Sequence, residues 1–459
     1  MLFSSIPFLF YFLPAVVVLY FVIPQKLKNA FLLLASLFFY AWGEPRYVFL
    51  MAAAIVLFYI FGIAVEKSEK YKKLWLIASV VTGAAMLAVF KYADFAVENW
   101  NRLTGMSLPL LKFALPIGIS FYTFQCISYV IDVYRGHTVA QRNIINFGTY
   151  VSLFPQLIAG PIVRYVDVER ELKERKTSLE DFSDGVFQFL VGLGKKVLIA
   201  NAFGQLTETF RASQDVSVLF YWLYALGFTL HIYFDFSGYS DMAIGLGRIF
   251  GFRFPKNFDY PYTSRSIAEF WRRWHMTLGG WFRDYVYIPL GGNRVSKGRW
   301  LVNILAVWML TGLWHGASWN FVIWGLLFAV MLLFEKWVPL LQKMPDFLKR
   351  IYVLLIVIIS FVIFNANTLS QAGADLAGMF GFGGLPVLST EALYYLRSFG
   401  VLFAVGIIGA TPLVRNAAAR LDQRPISNVL RPLAAAALLL LCTAFLVDGS
   451  FNPFLYFRF

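Results

Sequence analysis

From Trp300 to Leu333 the chain reads WLVNILAVWMLTGLWHGASWNFVIWGLLFAVMLL, two apolar stretches with His315 between them. Trp300 to Leu313 enters from one side, here taken as the cytoplasmic side, and Phe321 to Leu333 returns, which sets His315 deep. Similar apolar runs of about 17 to 25 residues recur from end to end, each long enough to cross about 30 Å of hydrocarbon. Over 459 residues, 59% are hydrophobic, 19% aromatic and 14% charged, and the mean hydropathy is +0.65. Soluble domains carry roughly 25% charged residues. The chain is therefore read as all-α, a polytopic transmembrane helical protein with one multi-pass domain over residues 1–459.

Charge sets the expected topology. Lys and Arg concentrate in cytoplasmic loops, which places Gln25 to Asn29, Glu66 to Lys73, Arg164 to Lys176, Gly251 to Arg299, Lys343 to Arg350 and the arginines 415, 420, 424 and 431 inside. The stretches Lys91 to Ser107, Gln205 to Asp215 and Asn365 to Glu391 are poorer in positive charge and go outside. One alternation satisfies the set, with both chain ends outside, including a tail over residues 448–459. The first run, Ile6 to Ile23, lacks a preceding basic segment and a cleavage pattern, so it reads as a retained span.

Two regions break the pattern of simple spans. Phe147 to Val163 is interrupted by Pro155, Gly160 and Pro161, and Met276 to Gly292 by Gly279, Gly280, Arg283, Asp284 and Pro289. Non-helical backbone at membrane depth is tolerated only where it is buried in protein or lines a wet cavity. Both are expected to be re-entrant segments around a cytoplasmic funnel.

The net charge is +14, from 40 Lys and Arg against 26 Asp and Glu. Positive-inside topology and attraction to anionic lipid account for most of it. The basic residues are scattered over short loops, which excludes a nucleic-acid surface. Cys126 and Cys442 fall inside apolar runs and read as packing residues. No nucleophile elbow, phosphate loop or zinc-type histidine spacing occurs, so no metal is expected. His137 reads as a loop residue. His231, with Asp235 and Asp241 in an apolar segment that demands partners for them, reads as packing or tunnel lining.

That leaves His315 and His275. An ionisable group at membrane depth costs a few kcal/mol or more and is a functional candidate by default. His315 suits a general base titrating near neutrality. Asn320 could donate to a developing oxyanion or bridge two helices. His275 sits at the inner edge of an interrupted segment, beside Arg272 and Arg273, whose guanidinium groups can bind phosphate or reach lipid headgroups.

The motifs Trp271-Arg272-Arg273-Trp274-His275, Tyr287-Ile288-Pro289-Leu290-Gly291-Gly292-Asn293-Arg294 and Leu313-Trp314-His315-Gly316 follow in that order. With Leu115 to Phe121 and Phe154 to Ile162 upstream, they resemble the membrane-bound O-acyltransferase superfamily. The likeness covers nearly the whole chain and is strongest to the bacterial branch typified by the alginate O-acetylation membrane subunit.

The resemblance implies a funnel with re-entrant segments around a central pore, His315 as the catalytic residue at its waist and His275 on the cytoplasmic approach. Histidine at 275 favours the polysaccharide branch, since lipid- and protein-acylating members usually carry asparagine there. The ending Phe454-Leu455-Tyr456-Phe457-Arg458-Phe459 is similar to a terminal motif whose tyrosine is thought to carry the acyl group. Its other reading is an aromatic anchor at the interface.

The expected function is transfer of an acetyl group from a cytoplasmic thioester, acetyl-CoA, across a bacterial inner membrane for O-acetylation of an exopolysaccharide such as alginate. Arg272, Arg273 or Lys256 would meet the donor's phosphates, and no bound cofactor is expected. The expected partner is an extracytoplasmic acetyltransferase of serine-hydrolase-like fold. The rivals are peptidoglycan O-acetylation and, from another class, a polysaccharide or lipid exporter.

Overall fold

The computed structural model describes residues 1–449 and 455; Tyr456 and the rest of the terminal motif lie outside the described residues. Among the described residues the chain is largely helical and has no strand. Among the described residues, seven helices are long and apolar enough to cross a membrane: Val48–Lys67, Lys72–Thr104, Leu179–Ala212, Trp319–Trp337, Asp346–Asn365, Thr390–Gly409 and Ser427–Asp448. The first expected span forms a shorter apolar helix, Phe8–Val22.

The helices gather into two compact units, Met1–Phe189 with Ser240–Lys256, and Leu190–Tyr239 with Asn257–Phe459. In the first, the interrupted segment 147–163 is buried at every residue. It breaks where proline and glycine demand, into helices Ile144–Ser152 and Phe154–Leu157 followed by irregular chain. Its polar backbone is met by protein: Ser36 Oγ accepts the Phe154 N–H at 3.1 Å, and Tyr150 Oη donates to the Val163 carbonyl at 3.2 Å. Gly118 (φ +74°) starts the buried helix Ile119–Arg135, and a Cβ there would fall 2.6 Å from the Leu157 carbonyl oxygen. Only glycine suits both demands. The two-signed stretch 164–176 forms helix Tyr165–Lys173, which buries Tyr165, Val168 and Leu172 on one stripe.

In the second unit, helices Lys297–His315 and Trp319–Trp337 pack as a hairpin. Small residues let their backbones meet. A Cβ on Gly312 would collide with the Phe321 carbonyl oxygen, and one on Gly325 with that of Trp308. Gly325→Ala should therefore cost about 1–3 kcal/mol through overpacking. A lowered thermal midpoint in detergent is the expected result; an unchanged midpoint would show that the hairpin opens without strain.

Elsewhere in this unit Lys196 answers the demand for a partner at Asp235, with Nζ 2.6 Å from the carboxylate. His231 is buried one turn before it, whereas His137, in the first unit, is largely exposed with Nδ1 3.4 Å from Asp132. Both cysteines are buried and unbridged.

The stretches expected to be outer loops are largely helical. Ala93–Thr104 extends a span, and the Asp94 carboxylate accepts the N–H groups of Leu111 and Lys112 at 2.7 and 2.9 Å. Asn201–Ala212 buries Phe203, Leu206 and Phe210, and Leu369–Met379 is capped by the Thr368 hydroxyl. Charge counting was blind to this, because short amphipathic helices are carried by periodicity and caps rather than by hydropathy.

Candidate active site

The site is built within the second unit, on the short helix Ile267–Arg273. Its first N–H groups need acceptors. Ser266 Oγ accepts that of Glu269 at 3.0 Å, and the Glu335 carboxylate accepts those of Ile267 and Ala268 at 2.5 and 3.2 Å. Glu335 thus pins this helix to Trp319–Trp337 and supplies the negative charge that a helix N-terminus favours.

The chain then turns sharply at His275, whose φ of +45° and ψ of +52° lie in the left-handed region. For a residue other than glycine this costs on the order of 1–3 kcal/mol and persists only when its surroundings impose it. Here residues 257–259 impose it. The Asn257 carbonyl accepts the Met276 N–H at 2.9 Å, Asn257 Oδ1 accepts from Thr277 Oγ1 at 2.9 Å, and the Arg273 carbonyl accepts the Asp259 N–H at 2.9 Å. The turn places the His275 ring, 3% exposed, between Phe258 and Trp314, at 6.2 and 5.7 Å between centroids. Burial lowers its pKa to about 3, so the ring is neutral at physiological pH.

His275 lines a cavity of about 620 Å³, inside the range of small-molecule sites. Trp271, Arg272, Thr311 and Lys336 line it as well. Arg272 and Lys336 are exposed cations, the latter with Nζ 3.8 Å from the Trp300 ring centroid. Arg283 also reaches the lining, held by a two-point contact with Asp284 at 2.7 and 3.1 Å.

His315 ends helix Lys297–His315, one turn past the cavity-lining Thr311, and is 5% exposed. Its ring meets those of Trp324 and Phe364 edge-on, at 5.0 and 5.2 Å. Trp324 packs 5.6 Å from Trp271, so aromatic rings run from the cavity wall to His315. Asn320 donates Nδ2–H to the Ala366 carbonyl at 2.8 Å, which is the helix-bridging reading, while its Oδ1 is buried without a hydrogen-bond partner among the described residues. His275 Nδ1 and the Nε1 atoms of Trp271 and Trp324 share that state. Of these residues, His275 and Trp271 line the cavity, whereas Trp324 and Asn320 lie outside its lining.

Of the cations expected to meet phosphate, Arg272 reaches the cavity. Arg273 is turned to Glu269, at 2.9 Å, and to the Asp259 carbonyl, at 3.2 Å. Lys256 is exposed and lies outside the cavity lining. Lys336, Thr311 and Trp300 were missed. Lys336 sits three residues past the returning run Phe321 to Leu333 and was legible as the cation closing it.

Residues 137–370 match the family model described as MBOAT, membrane-bound O-acyltransferase family. Both histidines fall within the match. The chain belongs to the membrane-bound O-acyltransferase family. Relatives agree over its full length: it is 40% identical to a probable alginate O-acetylase of Pseudomonas putida, across 100% of each chain. It is 38% identical to the corresponding protein of Azotobacter vinelandii, again across 100% of each. With a peptidoglycan O-acetyltransferase of Helicobacter pylori it shares 32% identity over 100% of this chain and 98% of that one. This is a multi-pass membrane O-acyltransferase, and the exporter reading is set aside.

Proposed function

We propose that this O-acyltransferase moves an acetyl group from acetyl-CoA, on the cytoplasmic side of a bacterial inner membrane, for O-acetylation of an exopolysaccharide such as alginate. The observation that carries the reading is the cavity, with Arg272 and Lys336 as cations in its lining and His275 and Thr311 leading toward His315. The cations suit the donor's phosphates. His315 takes the proton of the acceptor hydroxyl, the hydroxyl oxygen attacks the thioester carbonyl, and the thiolate leaves and recovers the proton.

Peptidoglycan acetylation is the second reading, favoured by the Helicobacter pylori relative, at lower identity than the alginate enzymes. Tyr456 acts as the acyl carrier in this account and passes the group to an extracytoplasmic transferase of serine-hydrolase-like fold. The likeness of the terminal motif supports that step, and the positive-inside pattern supports both chain ends lying outside.

His275 tests the donor side. Asparagine tolerates the left-handed conformation better than alanine does, so His275→Asn removes the ring at small backbone cost. It should raise the KM for acetyl-CoA at least tenfold with a smaller change in kcat, which marks lost binding. Initial rates over a range of donor concentrations read this out. An unchanged KM would return His275 to a packing role.

A further inference from the structure

The most deeply buried charges described in the second unit lie away from the cavity lining. Lys196 and Asp235 are 2% and 0% exposed, with Lys196 Nζ 2.6 Å from Asp235 Oδ1. Burying two charges costs several kcal/mol per ion, and the mutual attraction repays it only when the remaining acceptors are also met. The local sequence brings the two together. A Cβ on Gly238 would lie 2.8 Å from the Gly192 carbonyl oxygen and 3.1 Å from the Lys196 amide nitrogen. Glycine there lets helix Val218–Ile249 approach the π-helical turn Lys195–Ala200, which carries Lys196.

One carboxylate oxygen faces Lys196. The other, Oδ2, accepts the backbone N–H of Leu455 at 3.0 Å, across 220 residues of sequence. Leu455 is itself 3% exposed. A bond from a backbone amide to a buried carboxylate is among the stronger kinds, because the charge has no water to exchange with.

We propose that Asp235, held by Lys196, is the anchor of the C-terminal segment, a positioning residue that fixes the chain at Leu455, one residue before Tyr456. The ion pair then has a role: it aims the carboxylate, with Oδ1 toward Lys196 and Oδ2 toward the Leu455 amide. Its consequence for acetyl transfer rests on the acyl-carrier reading of Tyr456; the anchoring does not.

The test separates the two. Leu455→Pro removes the N–H and leaves the Lys196–Asp235 pair intact. Leu455→Ala keeps the N–H and loses the side chain, and so controls for packing. In the detergent-purified protein, carboxypeptidase release of the terminal residues should be on the order of tenfold faster for Leu455→Pro than for Leu455→Ala. Equal rates for the two variants, or a wild-type rate for Leu455→Pro, would overturn the anchor. The double variant Lys196→Met with Asp235→Leu, which removes both charges together to spare the fold, should release the tail equally fast at a near-normal thermal midpoint. Wild-type release from that variant, once folded, would also overturn it. Faster release with undiminished glycan acetylation would sustain the anchor and sink the carrier role of Tyr456.

Discussion

Replacing His315 by alanine should lower acetyl transfer by a factor on the order of 10² to 10⁴, the usual worth of a positioned general base. The ring is 5% exposed at the end of helix Lys297–His315, one turn beyond a cavity-lining residue. Its loss removes edge-on contacts with Trp324 and Phe364, so some stability goes with it. A His315→Gln variant fills more of the same space without a titratable nitrogen and should be equally inactive. Acetyl-CoA consumption by purified protein at matched amounts, with thermal midpoints alongside, distinguishes the two effects. Near-normal turnover in a folded His315→Gln variant would remove the base from the mechanism.

The second large effect is expected at Tyr456, which lies outside the described residues. Tyr456→Phe deletes one oxygen, so an aromatic anchor would lose little while an acyl carrier loses its only nucleophilic atom. Transfer to the glycan should fall to background. With donor present and the extracytoplasmic transferase absent, mass spectrometry of the C-terminal peptide should find one acetyl group on Tyr456 in the wild type. Full activity of the phenylalanine variant, or no adduct under those conditions, would leave the tail as an anchor alone.

Much of this architecture was legible in the chain. The first interrupted stretch announced itself through Pro155, Gly160 and Pro161, and it is buried in protein at every residue from 147 to 163. The need of Asp235 for a partner was equally readable, but Lys196 was not. A lysine 39 positions earlier becomes its partner only because Gly238 allows two helical segments to touch.

The site was legible in its residues more than in its geometry. His275 and Arg272 meet at one cavity as their shared motif suggested, yet Arg273, next in sequence, turns to Glu269 because successive residues on a helix face different ways. The left-handed turn at His275 has no signal in sequence: it is imposed by hydrogen bonds with Asn257 and Asp259, 18 and 16 residues earlier. The link from Asp235 to Leu455 spans the second unit and leaves no local pattern at all.

The central claim is that acetyl groups enter from a thioester on one face and leave on an acceptor at the other, through His315. Proteoliposomes holding the purified chain with its extracytoplasmic partner, radiolabelled acetyl-CoA on the side of the loops rich in Lys and Arg, and unacetylated glycan on the other side test it most directly. Label should appear on the glycan with the wild type, vanish with His315→Gln, and vanish when acetyl-CoA is moved to the glycan's side. Label on the glycan irrespective of the donor's side, or undiminished in the His315 variant, would contradict the account.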